Sequence, residues 1–382
     1  MERWCAQASV CGVRILIIGG GVLGTQHAWQ AVERGHDVVQ IEREPEARGA
    51  SVRNFGLVWV GGRASGPELE TAARARVLWE RIGERVEGIG FRPNGSLTVV
   101  RTEAELAVAR AAADTGEDRG FKLLDAAETR ALNPALRGEF LGALWCDRDA
   151  AVEPRVAQPA LRAELAKSGR YTWVPGREIR DLTDRGVVDD TGETHEGDVV
   201  VLCTGAWTGG LVKELAGTTP VRRVRLQMAQ TEPLGETLTT TVADADSFRY
   251  YPAYRGEALD GLNAGQPQGE VAAAAKMQLL MVQRLDGSLT IGDTHEYDEP
   301  FSFDTTEAPY DHLAEVAGAL LGRPLPRITR RWAGVYAQTT DTSRIVHRAR
   351  VADNAWLVTG PGGRGMTCSP AIAEDTAEEL SW

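Results

Sequence analysis

Apolar residues run unbroken from Ile15 to Ile18 inside "VRILIIG", Val13 to Gly19, and dominate "VVQI" inside "HDVVQIE", His36 to Glu42, with Gln40 as the one polar position. Aliphatic runs of this length, bounded by glycine and charge, suit strands buried on both faces of a parallel sheet. Between them the pattern predicts a helix over about 21–34, with Gly35 placed to cap its end, so the three segments form a βαβ unit. Two further stretches of this kind lie far downstream, "HEGDVVVLCTGAW" from His195 to Trp207 and "NAWLVTGPGGRGMT" near the C-terminus. Strands of one sheet are therefore widely separated along the chain.

The intervening sequence alternates instead. "GFRPNGSLTVV", "GALWCDRDAAVEP", "FRYYPAYRG" and "GSLTIGDTHEY" interleave polar and apolar positions, as half-exposed strands of an antiparallel sheet do. Helical spacing predicts further helices at 67–86, 103–113, 126–132, 154–167, 310–321 and 370–380. The interleaving predicts a discontinuous parallel-sheet domain of residues 1–85, 150–220 and 335–382. An antiparallel-sheet domain takes residues 86–149 and 221–334.

Length and charge narrow the chemistry. A chain of 382 residues exceeds one comfortable core. Its net charge of -12 speaks against nucleic acid or an anionic membrane as partner, because both need clustered cations. The start, "MERWCAQASVCGVR", lacks an apolar signal-peptide core, and no apolar run is long enough to span a bilayer, which points to a cytoplasmic protein. The five cysteines, Cys5, Cys11, Cys146, Cys203 and Cys368, show neither disulfide nor zinc spacing, and no metal site is expected.

Gly19, Gly21 and Gly24 form G-x-G-x-x-G at the junction of the first strand and helix. The first allows a tight turn, the second lets a pyrophosphate reach the backbone, and the third permits close helix packing. Val22 and Leu23 open the helix whose N-terminus would face the diphosphate. Glu42 ends the second strand, placed for a ribose hydroxyl, with Arg43 beside it. These residues leave NAD and FAD both open. Three more loops at strand ends suit a long, two-ended cofactor: "ASVRNFG" with Ser51, Arg53 and Asn54, "CTGAW" with Thr204, Gly205 and Trp207, and "GPGGRGMT" with Gly360, Gly362, Gly363, Arg364, Gly365, Met366 and Thr367. Val174 joins them as a cofactor candidate, and Trp59 is placed near the cofactor.

Taken together, these segments resemble the D-amino-acid-oxidase-type family of FAD-dependent oxidoreductases, which includes glycine and sarcosine oxidases, over nearly the whole chain. The resemblance implies a Rossmann-like α/β FAD domain with an interleaved antiparallel substrate domain. It implies noncovalent FAD, with backbone N–H groups of the C-terminal glycine loop on the flavin, and amine oxidation by hydride transfer to flavin N5. Some relatives attach FAD through cysteine, whereas Cys368 reads as a buried small hydrophobe. "GASVRNFGLVW", "RVRLQMAQT", "DSFRYYPAY", "IGDTHEY" and "RWAGVY" further resemble a branch associated with phosphonate catabolism. That branch implies an aminophosphonate substrate, with oxygen or another acceptor taking the electrons.

The segment "RWAGVY" departs from the glycine-oxidase pattern, where an arginine that clamps the substrate carboxylate stands at the position of Tyr336. Tyrosine offers no bidentate fork, so Arg330, Arg331, Arg249 or Arg364 must replace it if the substrate is a carboxylate. For a phosphonate, Arg249, Tyr250, Tyr251, Gln227, His295 and Tyr336 are the pocket candidates, with Arg249 and Tyr251 on one face of a strand. The plain alternative is that the tyrosines pack the sheet and Arg249 is surface charge. His295 fits a pocket role better than obligatory catalysis, His27 fits a structural one, and His195, His312 and His347 show no partner pattern. A small amino acid oxidase and a non-catalytic dinucleotide-binding module are the competing functions.

Overall fold

The structure, a computed structural model, describes residues 12–382; Cys5, Cys11 and most of the N-terminal segment read for a signal lie outside the described residues. The first strand, Arg14–Ile18, sits inside a six-stranded sheet, between Val199–Leu202 and Asp37–Glu42, parallel to both. Its continuous apolar run follows from two-sided burial. Ile15 and Ile17 face one core with the first and last helices, while Leu16 and Ile18 face another beneath Val200, Leu202 and Leu357. Tyr171–Pro175 and Ala355–Thr359 extend the parallel order, and His347–Ala352 closes one edge antiparallel.

The first helix, Val22–Glu33, buries eleven of its twelve residues. His27 within it bonds the Leu23 carbonyl at 2.7 Å and Thr376 Oγ1 of the last helix at 3.0 Å. Burial lowers its pKa to about 4, so it is a neutral tie between two helices. The last helix spans Gly365–Glu379 and starts five residues before the expected 370, with Pro370 inside it. Proline cannot donate to the Met366 carbonyl one turn back, and that carbonyl accepts from Trp79 Nε1 instead, at 2.9 Å. Cys368 lies fully buried on this helix.

The second sheet has eight strands in the order Ile328–Thr339, Val221–Pro233, Ser288–Gly292, Leu280–Gln283, Thr241–Asp244, Ser96–Val100, Gly142–Cys146 and Phe121–Asp125. All its pairs are antiparallel except Thr241–Asp244 with Ser96–Val100. The expected boundary at 334/335 falls inside a strand, because the ladder between Val221–Pro233 and Ile328–Thr339 runs on to the Val221–Thr339 pair. Among the described residues, no helix is long and apolar enough to cross a membrane.

"FRYYPAYRG" is not a strand. It folds as a helical turn, Ser247–Tyr250, followed by a 3-10 turn, Pro252–Tyr254. Phe248, Tyr251 and Tyr254 recur every third residue and bury together, which is helical spacing, and the expected shared face of Arg249 and Tyr251 disappears. Two helices, Glu257–Gly265 and Glu270–Ala275, follow in sequence that carried no expectation.

Candidate active site

A cavity of about 1110 Å³ runs from the C-terminal ends of the parallel strands to the face of the large sheet. At one end lies the glycine turn. Gly19 has φ +119°, and a Cβ there would collide with the Cys203 carbonyl; a Cβ on Gly24 would collide with the Gly19 carbonyl. Gly21 faces Ser51, whose Oγ accepts from the Val22 backbone N–H at 2.8 Å. Gly20, a residue the motif leaves free, is as constrained: a Cβ would stand 2.5 Å from the Trp173 ring and 3.2 Å from Glu42 Cβ. Its N–H donates to Glu42 Oε2 at 2.6 Å and so orients the carboxylate on the cavity wall. The run of three glycines was the available signal.

Leu23, Arg43, Ser51, Arg53, Thr204, Gly205 and Trp207 line this cavity, with the Arg43 guanidinium 4.5 Å above the Trp207 ring. Arg53 also ties the loop to the Ala333 carbonyl at 2.8 Å. Asn54 reaches the wall, but its side chain is used by its own loop, donating to the Ala50 and Ser51 carbonyls and accepting from Gly56 N–H. At the other end, Gly362, Gly363, Arg364, Gly365 and Met366 form the wall. Four expected cofactor contacts fall outside it, Gly24 among them because it packs against the Gly19 carbonyl. Val174 packs with the core beneath Val39 and Ile41, Gly360 makes a turn at φ +77° against Thr339, and the Thr367 hydroxyl points inward to Leu57 and Trp59.

Where the two sheets meet, five rings form a contiguous run. Trp59 stacks on Tyr251 (centroids 5.4 Å), Tyr251 meets Tyr250 edge-on (5.0 Å), Tyr250 stacks on His295 (4.3 Å), and His295 faces Tyr297 (6.3 Å). His295 Nδ1 lies 2.9 Å from the Lys276 carbonyl, which only accepts, so Nδ1 carries the proton and Nε2 is left as an acceptor. Burial lowers its pKa to about 4, so the ring is neutral near pH 7. The Tyr336 hydroxyl, close to that of Tyr250, and Trp59 Nε1 are buried and make no hydrogen bond of good geometry among the described residues. Such orphaned donors fit a site shaped for a polar occupant.

Two expected pocket residues turn elsewhere. Arg249 donates to Asp246 Oδ1 at 2.8 Å, the Gln266 carbonyl at 2.6 Å and Asn263, because the helical turn directs it away from the cavity. The Gln227 side chain accepts from Thr306 N–H at 3.1 Å, outside the wall. Of the other arginines considered, Arg331 pairs with Glu307, Arg364 with Glu68, and Arg330 lines a separate cleft with Gln230. Arg222 was missed. It lines the cavity, bonds Gln338 Oε1 at 3.0 Å, lies 4.4 Å above the Tyr297 ring, and has no carboxylate partner among the described residues. The register pairs Val224 with Tyr336 and Arg222 with Gln338, which puts Arg222 and Tyr336 on one face of the sheet. Only strand pairing could reveal this.

His195, assigned no role, joins Asp189 and Glu193 in a cluster whose ligand atoms lie within 4.8 Å. Asp189 there accepts from Thr191, the Glu193 N–H and His195, and these bonds fix the hairpin turn.

A glycine-lined cradle at a βαβ junction, an oriented carboxylate beside it and a second glycine loop at the far end define a dinucleotide-binding oxidoreductase fold. The family described as DAO: FAD dependent oxidoreductase matches residues 14–379, and the chain belongs to it. Similar curated proteins include glycine oxidase of Pseudomonas aeruginosa, 26% identical over 393 residues (96% of this chain, 94% of that one). D-amino acid dehydrogenase of Bradyrhizobium diazoefficiens is 25% identical over 441 residues (97% and 95%). Among solved structures, glycine oxidase from Geobacillus kaustophilus superposes with TM-score 0.75 at 22% identity, covering 97% of this chain and 95% of that one. L-α-glycerophosphate oxidase from Mycoplasma pneumoniae, solved with FAD bound, gives 0.73 at 17% identity (97% and 95%). The protein is an FAD-dependent oxidoreductase. Gly19, Gly21, Val22, Leu23 and Glu42 line one end of the cavity and Gly362 to Met366 the other.

Proposed function

We propose that the protein oxidises the C–N bond of a small amine bearing an anionic group, most specifically an aminophosphonate related to 2-aminoethylphosphonate, N-alkylated and hydroxylated forms included. FAD, when bound, supplies the two-electron acceptor, with hydride received at flavin N5. The imine product hydrolyses to an aldehyde and ammonia or an amine. Tyr336 carries this assignment. Its buried hydroxyl lies beside that of Tyr250 and makes no well-formed hydrogen bond among the described residues, and Arg222 stands on the same sheet face. A tetrahedral dianion with three acceptor oxygens suits separate donors arriving from several directions, whereas a carboxylate suits one planar guanidinium fork. The aromatic run and neutral His295 exclude water from the amine, which favours its neutral form.

A glycine- or sarcosine-type oxidase is the second reading, supported equally by the glycine oxidase relatives, with Arg222 as the carboxylate ligand. Anaerobic flavin reduction decides between them. 2-Aminoethylphosphonate or its N-methyl form should reduce the flavin at least about tenfold faster than glycine, sarcosine or β-alanine, the effect of one charge-assisted hydrogen bond. Equal or faster reduction by the carboxylates would replace the first reading with the second.

A further inference from the structure

We infer that Asp293 receives the ammonium group of the substrate and takes its proton. The inference rests on the amine-oxidation reading and adds to it a residue that the sequence did not single out. Asp293 follows the strand Ser288–Gly292, lines the cavity and is only 7% exposed. Its backbone N–H donates to the Gln278 carbonyl at 3.1 Å, and its Oδ1 accepts from Gln278 Nε2, also at 3.1 Å, so the carboxyl is held in place. Oδ2 lies 3.8 Å from His295 Nε2. That nitrogen is the acceptor side of a neutral ring, and so it supplies no positive charge.

The surroundings of this carboxyl lack one cation. Among the described residues no lysine or arginine pairs with it: Lys276 lies over the Tyr297 ring, Arg222 bonds Gln338, and Arg223 is held by Glu299. The groups facing it are the phenols of Tyr250, Tyr251, Tyr297 and Tyr336 and the imidazole of His295. A buried, unpaired carboxylate is unfavourable, and burial pushes the Asp293 pKa up to about 8. One carboxyl among aromatic faces is the chemistry that accepts an alkylammonium, through charge and through the ring quadrupoles. In the step itself, an N–H bond of the ammonium breaks and an O–H bond forms on Oδ2. No electrons change hands, and the buried ion pair becomes a neutral pair. The amine keeps the lone pair that oxidation of its neighbouring C–H requires.

Two measurements on the FAD-loaded protein test this. First, the second-order rate of anaerobic flavin reduction by the fastest amine should rise with pH through one ionisation near 8, since Asp293 must be ionised to accept the proton. Asp293→Asn should lose that ionisation and slow reduction at least about a hundredfold while keeping its FAD and its visible spectrum, and Asp293→Glu should restore the ionisation. Second, in the unmodified protein, a pH indicator should report about one proton released per ammonium bound at pH 7, before the flavin bleaches, and none well above pH 8. An Asn variant with unchanged rate and pH profile, or binding without proton release, would overturn the role of Asp293 alone. If no amine bleaches the wild-type flavin, amine oxidation falls as well.

Discussion

Gly363 and the Tyr336 hydroxyl face each other across the cavity: a Cβ built on the glycine would stand 3.9 Å from Tyr336 Oη and 4.0 Å from Tyr250 Oη. The glycine loop that would hold the flavin thus meets the two phenols that would hold the anion. Tyr336→Phe should weaken substrate binding about tenfold, the loss of one hydrogen bond to a charged group, with FAD content unchanged. Tyr336→Arg should shift preference toward carboxylates. Stopped-flow dissociation constants for matched phosphonate and carboxylate amines measure both effects.

Arg222, which the sequence did not single out, lines the cavity, whereas Arg249, expected there, turns away from it. Arg222→Gln should reduce the efficiency of flavin reduction by anionic amines about ten- to a hundredfold, because it removes a cavity cation that has no carboxylate partner among the described residues. Arg249→Gln should leave that rate nearly unchanged and lower the melting temperature, because its bonds to Asp246 and Gln266 secure the helical turn. A comparable kinetic loss in both variants would contradict the placement of Arg249.

The glycine turn has no room for a Cβ at Gly19 or Gly24, where it would meet backbone carbonyls. Gly24→Ala puts a methyl into the Gly19 carbonyl, and Gly21→Val crowds Ser51 and the approach of a pyrophosphate. Both variants should purify with little or no FAD, read as the ratio of visible to ultraviolet absorbance. A full complement of FAD in Gly21→Val would argue against this cradle.

Cys368 is fully buried, and burial pushes its thiol pKa up to about 11, the reverse of what a nucleophilic attachment site needs. FAD should therefore appear in the supernatant after acid precipitation, and Cys368→Ala should retain it. Flavin left in the pellet of the wild type and absent from that of the variant would establish a covalent link.

His27 makes stability depend on pH. Its folded pKa of about 4 lies below the unfolded value of 6.5, so the unfolded chain binds the extra proton first. The stability it contributes is complete above pH 6.5 and is lost as pH falls toward 4, with a loss of about 2 kcal/mol between pH 7 and 5. Urea unfolding of His27→Gln should show a shallower loss over that interval, whatever its absolute stability.

Sequence alone determined the parts whose physics is local. The apolar run Ile15 to Ile18 needs burial on both faces, the glycines at 19, 21 and 24 need space that any Cβ would fill, and Glu42 follows at the end of the next strand. The helices Glu103–Ala113 and Ala126–Leu132 fall where helical spacing placed them, and in the structure capping boxes at Thr102 and Asp125 fix their starts. Tertiary structure decided the substrate end. Aromatic residues at 248, 251 and 254 satisfy a strand's composition and a helix's spacing alike, and burial of all three against one core chose the helix. Arg222 and Tyr336 share a face only because strands more than a hundred residues apart pair in one register, and among the described residues no lysine or arginine pairs with Asp293, since Lys276, Arg222 and Arg223 lie on other groups. Those are pairings between distant segments, set by long-range packing that local sequence pattern does not encode.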